Sequence, residues 1–291
     1  LAIGYTVVMG WIFRYNFLAI NGTLTDLADD FYLIGATFNQ TAGKFANNFW
    51  IIVAGLCSMV IMSFGIAKGI ERANKILMPI LFILLLGLAI YIAMDPKAYS
   101  GYKYIFSLDS SYLSDIKLWI FAFGQAFFSL SIAGNGSVIY GSYLPKNEDI
   151  PSSAKNIAFF DTLSALLASF VIIPAMAIGN ADLTEGGPGL MFMYLVNVFN
   201  QIKSGQILMI FFYIAVLFAG FSSIINLYEA PVAYVKEKFN ISRKFSAFII
   251  NGHYSCYFYP SHSWSMDGYC FYSYSSIRCI LSWYYVLLGS R

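Results

Sequence analysis

The sequence predicts an all-helical integral membrane protein, and three observations carry that prediction. Hydrophobic residues make up 59% of the 291 and charged residues only 11%, whereas a soluble domain carries about 25% charged residues. Apolar runs of spanning length recur along the chain, as a helix rising 1.5 Å per residue requires. The basic residues also alternate sides. Nine Lys and Arg lie in the short connections Lys68–Lys75, Leu144–Asn156 and Lys236–Lys244. Six lie in the alternate loops: Arg14, Lys44, Lys97, Lys103, Lys117 and Lys203. By the positive-inside tendency the short connections face the cytoplasm.

Taken in order, residues 1–20 read as a spanning helix with Arg14 at its interfacial end. Leu1 already lies inside an apolar run, without Met, positive n-region or cleavage site. The start is therefore read as the interior of a span in a fragment, not as a signal peptide. Residues 21–48 form a polar connection. Phe49–Ala67 is an uncharged span, and Ile76–Met94 is the cleanest in the chain. A tyrosine-rich polar loop, Asp95–Lys117, leads to Trp119–Tyr143. Ile157–Gly179 spans with Asp161 inside it, and Leu190–Gln201 reads as a short helix. Ile207–Val235 is the last convincing span, long enough to tilt or project. That makes a partial core of about six spans over residues 1–250.

The stretch Trp119–Tyr143 is unusual because its middle is its least helical part. Ser129, Ser131, Gly134, Asn135, Gly136 and Ser137 gather where a span should be most apolar. Backbone groups freed at membrane depth cost several kcal/mol unless protein, water or solute satisfies them. Two structures fit. One is a kinked helix with small residues for close packing; the other is a discontinuous helix whose ends bind solute near the midplane.

After Ile250 the character changes. Residues 251–291 are rich in Tyr, Ser, Cys and His, with no apolar run of ten. The abrupt switch is expected to mark an aberrant tail from a shifted reading frame, an aromatic interfacial tail being the alternative. No function is drawn from it.

Chemistry is sparse. Both histidines lie in that tail, so no Ser–His pair can be built elsewhere. No P-loop, HExxH or dinucleotide-binding glycine pattern occurs, and no ring-forming repeat suggests a channel. A net charge of +2 gives no reason to expect a nucleic-acid partner. Asp161 and Glu229 are the only acids well inside spans, and intramembrane carboxylates are functional candidates by default. Each has a structural alternative, a hydrogen bond to a neighbouring helix. A membrane-embedded transferase would use these acids as catalysts. Ser222 and Ser223 present adjacent hydroxyls, with Ala219 one helical turn before them. Hydroxyl and carbonyl oxygens suit a hard cation, although serines also serve helix packing.

Four motifs, spread along the chain, resemble the neurotransmitter:sodium symporter family, particularly its bacterial branch. They are Gly124-Gln-Ala-Phe-Phe-Ser-Leu-Ser131, Lys68-Gly-Ile-Glu-Arg72 followed by Pro79, Gly186-Gly-Pro-Gly-Leu190 and Ala219-Gly-Phe-Ser-Ser223. The resemblance implies an inverted-repeat transporter fold with discontinuous helices, of which residues 1–250 would match the third to eighth spans and the start of the ninth. It implies Leu1, Tyr5, Phe128, Ser129, Ser131, Gly134, Ser223 and Leu227 at the substrate pocket. Ser129 and Asp161 would serve a first sodium site; the Ala219 carbonyl, Ser222 and Ser223 would serve a second. Tyr5, Phe128 and Gln125 would belong to an outer gate and Glu237 to a cytoplasmic one. Gly134 stands where the family often has an aromatic residue, which implies a pocket of different shape. Asp161 stands where animal relatives have an asparagine that ligates sodium, four residues before a serine that binds chloride. A carboxylate there would ligate sodium and replace the chloride charge.

The function implied is sodium-coupled uptake of an amino acid or related amine by alternating access, in a multi-pass plasma-membrane protein. Its partners would be the small-molecule substrate, sodium and the lipid bilayer, with a homodimer among the oligomeric states left open. No cofactor is expected beyond sodium as the coupling ion. Another sodium-coupled carrier of the same fold, with an unrelated substrate, is the alternative.

Overall fold

The computed structural model describes residues 2–28, 30–43, 47–107, 113–132, 136–179 and 187–256. Among these residues every regular element is helical. In chain order the α-helices are α1 (Ala2–Ile20), α2 (Thr23–Asp26), α3 (Phe31–Ala42), α4 (Asn48–Ser63), α5 (Arg72–Ala93), α6 (Ala98–Phe106) and α7 (Ile116–Ser129). They continue with α8 (Gly136–Gly141), α9 (Ile150–Ile178), α10 (Gly187–Gly189), α11 (Leu195–Gln201), α12 (Gly205–Phe239) and α13 (Arg243–Cys256). Lys68–Ala93, Ile150–Ile178 and Gly205–Phe239 are long and apolar enough to cross a membrane, and Asn48–Ser63 and Ile116–Ser129 are shorter apolar helices. Leu1, Gly134 and the tail beyond residue 256 lie outside the described residues.

The core is an antiparallel seam between α1 and α12. Asn16 donates to the Tyr213 carbonyl at 2.9 Å, Phe13 meets Phe221 edge-on at 5.4 Å, and Gly220 lies against the Met9 thioether. Midway along α1, Trp11 packs edge-on against Phe38 and Phe192, with centroids 5.5 and 5.8 Å away. Helix α4 covers one side of α1, α5 covers α12, and α13 packs on both α4 and α12.

Several polar connections expected as loops contain helices. Asp30 caps α3, accepting from the amides of Tyr32 and Leu33 at 2.9 and 3.2 Å. Asp115 and Asp149 cap α7 and α9 in the same way. A side-chain oxygen at this position satisfies amides that have no partner within the helix. The Lys68–Lys75 connection is helical too. The chain reverses at Gly65, whose φ of +88° suits glycine, and a π-helical turn, Ile66–Glu71, runs straight into α5. The break is thus shorter than the charge pattern suggested, because the basic residues sit on a helix end.

The two structures open for 119–143 are resolved in favour of a discontinuous helix. Helix α7 stops at Ser129, and the chain turns with Ser131 at φ +55°, before α8 resumes at Gly136. The Ser137 hydroxyl donates to the freed Leu130 carbonyl at 2.6 Å, and the Gly136 amide to the Ser131 carbonyl at 3.0 Å.

Helix α6 docks on α9 at the proline inside that helix. Pro174 has no N–H for the Phe170 carbonyl, and the Tyr102 hydroxyl reaches that carbonyl at 3.5 Å. Gly101 makes the approach possible: a Cβ there would lie 2.6 Å from the Pro174 Cα and 2.9 Å from the Ile173 carbonyl oxygen. Neither backbone atom can give way cheaply. Gly101→Val should therefore undock α6 and destabilise the fold by about 1–3 kcal/mol, read as a lowered unfolding midpoint. An unchanged midpoint would show that α6 does not rest on Pro174 in solution.

Candidate functional site

Three polar clusters occupy otherwise apolar surroundings. The first joins α7 to α9. Ser129 is the last residue of α7, and its hydroxyl donates to Asp161 Oδ1 at 2.5 Å. Ser129 is exposed and Asp161 partly buried. The carboxyl end of the α7 dipole adds partial negative charge here. The chemistry suits a small hard cation.

The second cluster lies on α12. Ser222 and Ser223 both donate to the Ala219 carbonyl, at 2.8 and 3.1 Å. Helical geometry thereby brings three oxygens to one face, since residues three and four apart are neighbours. From α1, the Tyr5 phenol faces the Ser223 side chain. Ser222 is buried, and Ala219, Ser223, Leu227 and Tyr5 are partly so.

The third cluster lies towards the end of α12 that the charge bias assigns to the cytoplasm. Glu229 is fully buried. Arg243 grips it with two bonds, Nη1 to Oε1 at 2.9 Å and Nη2 to Oε2 at 2.5 Å, and Tyr143 donates to Oε1 at 2.9 Å. The third guanidinium nitrogen, Nε, donates to the Met62 carbonyl at 3.1 Å. Helices α4 and α12, the chain after α8 and the start of α13 are thereby tied to one carboxylate. The tight α12–α13 turn makes this possible: Asn240 ends α12 at φ +49°.

Among the other residues selected from the sequence, Phe128 and Gln125 lie exposed on α7, and Ser131 occupies the turn after it. Glu237 is exposed on the last turn of α12. The sequence reading gave Glu229 no specific partner: Arg243 entered only as one charge of the Lys236–Lys244 connection, and Tyr143 was not selected. The available signal was electrostatic. A carboxylate inside a span demands a cation, and Arg243 is the basic residue closing the next turn.

Comparison with known proteins bears on the whole assembly. Residues 34–272 match the family described as the sodium:neurotransmitter symporter family. An uncharacterized sodium-dependent transporter of Haemophilus influenzae is 31% identical over 246 residues, covering 82% of this chain and 52% of the relative. The corresponding YhdH transporter of Bacillus subtilis is 35% identical over 233 residues, 79% and 50% of the two chains. The crystal structure of MhsT in complex with L-phenylalanine superimposes with a TM-score of 0.75 at 37% identity, covering 88% of this chain and 58% of MhsT. The chain thus spans about half the length of the curated relatives it matches. These relatives are named as transporters, which removes the transferase alternative. On the family match and the shared fold together, the chain belongs to the sodium:neurotransmitter symporter family.

Proposed function

We propose that this chain supplies the substrate-facing centre of a plasma-membrane symporter that couples inward sodium movement to uptake of an amino acid. Ser129 and Asp161 would hold one sodium. The Ala219 carbonyl with Ser222 and Ser223 would hold another, and Tyr5, Phe128, Ser131 and Leu227 would line the substrate pocket. The observation that carries this reading is the Ser129–Asp161 contact at the break between α7 and α8. It sets an acidic oxygen pair beside interrupted backbone, the arrangement in which transporters bind ions and solute. The relatives support the substrate class: the MhsT structure holds L-phenylalanine, and a mouse relative, 30% identical over 114 residues, is named a sodium-dependent neutral amino acid transporter.

The proposal is tested by radiolabelled amino-acid uptake into proteoliposomes by the full-length transporter carrying this sequence, with and without sodium. Sodium-dependent uptake of at least one amino acid is expected. Ser222→Ala removes a ligand oxygen from a cation that has few others. The loss is worth roughly 1.5–3 kcal/mol, so half-maximal uptake should need about ten- to a hundredfold more sodium. Uptake that ignores sodium would overturn the proposal. An unchanged sodium requirement in Ser222→Ala would remove this face of α12 from the ion site.

A further inference from the structure

Two hydroxyls at the inner end of the α1–α12 seam belong to neither proposed ion site. Thr6 Oγ1 lies 2.5 Å from the Tyr228 hydroxyl oxygen. The threonine proton is directed to the Ala2 carbonyl at 2.8 Å, so the phenol is the donor of the shorter bond. Both residues are buried, with 2% and 0% exposure, and water does not compete for either group.

Their neighbours give this bond its meaning. Thr6 follows Tyr5, whose phenol meets Ser223. Tyr228 lies between Leu227, on the proposed pocket, and Glu229, held by Arg243. Farther along the seam the Phe13–Phe221 and Met9–Gly220 contacts are apolar, and the next polar tie is Asn16 on the Tyr213 carbonyl, towards the far end. Apolar contacts tolerate sliding, and a methionine adapts readily to a new partner. A hydrogen bond does not. Sliding α1 along α12 would stretch the Thr6–Tyr228 bond and bend it away from its favoured geometry, and would carry Tyr5 away from Ser223.

We infer that Thr6 and Tyr228 form a positioning pair, whose bond, with the Asn16–Tyr213 bond towards the other end of the seam, fixes the register of α1 on α12 and so keeps the Tyr5 phenol beside Ser223 of the ion site. The inference rests on the symporter reading and adds to it two residues that contact neither ion nor substrate. It predicts that the pair sets the affinity of the site as well as the stability of the fold.

The test is a double-mutant cycle in the full-length transporter, purified in detergent. Binding of a labelled amino acid, chosen from the uptake screen, is titrated with sodium, and unfolding midpoints are measured without sodium. Tyr228→Phe and Thr6→Val should each raise the half-saturating sodium concentration about three- to tenfold, the worth of one buried hydrogen bond. The double variant should be no worse than either single one, and Thr6→Ser should bind like wild type. Lowered midpoints with unchanged half-saturation would reduce the pair to a structural tie and overturn the inference. So would multiplicative single effects in the double variant. A wild type that binds no amino acid with sodium would instead remove the symporter reading itself, and the pair's role with it.

Discussion

Arg243→Leu is expected to destabilise the protein by about 3–5 kcal/mol, because it strands a buried carboxylate. Glu229 has no exposure, and two of its three described hydrogen bonds come from the guanidinium. Without Arg243, only the Tyr143 phenol still bonds the acid, and the Met62 carbonyl loses its donor as well. The pair itself need not stabilise the fold. Replacing both members of a buried ion pair by apolar residues is often neutral, whereas removing one is not. Glu229→Leu combined with Arg243→Leu should therefore recover most of the loss. Chemical or thermal unfolding of the four proteins in detergent measures this, and a single variant within about 1 kcal/mol of wild type would mean that water reaches Glu229. The same four proteins speak to gating. If the cluster keeps the cytoplasmic end closed, the double variant should be stable yet should let solvent-borne reagents reach the pocket from that side.

Much of the architecture was legible because membrane spans announce themselves. Phe49–Ala67, Ile76–Met94 and Ile207–Val235 each overlap an observed helix, since uncharged apolar runs leave few alternatives. The interrupted helix was visible as a bunch of Gly and Ser, although composition alone did not separate a kink from a break. Helices α3 and α6 escaped because they are short and carry polar residues on their outer faces. What marks α3 is Ile34 and Phe38 at a spacing of four, buried among aromatic residues from distant segments. The clusters were legible unevenly. Ser222 and Ser223 are adjacent in sequence, and the helix brings their hydroxyls to the Ala219 carbonyl without help. Ser129 and Asp161 come from different spans and were linked only through family resemblance. Thr6 and Tyr228 are separated by almost the whole described chain, and no local pattern joins them. Arg243 was counted as a cytoplasmic charge. Its second role depends on the turn at Asn240, which aims it back at Glu229.

The Asp161 carboxylate is expected to make transport independent of chloride, and Asp161→Asn to abolish that independence. Ser129 already donates to Oδ1 at 2.5 Å, so an amide placed there would keep an acceptor oxygen and nearly the same shape. What it would lose is the charge. At about 4 Å, with the effective dielectric of about 20 found near protein surfaces, one unit charge is worth about 4 kcal/mol to a cation. That figure bounds the effect from above. Even half of it would weaken sodium binding more than tenfold. A mobile anion settling nearby could restore the missing charge, which gives the prediction a signature that simple damage lacks. Uptake by the full-length transporter should therefore be measured in chloride and in gluconate. Wild type should transport equally well in both, whereas Asp161→Asn should be inactive in gluconate and either inactive or newly stimulated in chloride. A structural role, in which Asp161 only ties α9 to the end of α7, predicts something else: the isosteric amide would retain uptake in both salts. A wild type that requires chloride, or an Asp161→Asn variant that transports normally in gluconate, would show that this carboxylate is not the fixed anion of the sodium site.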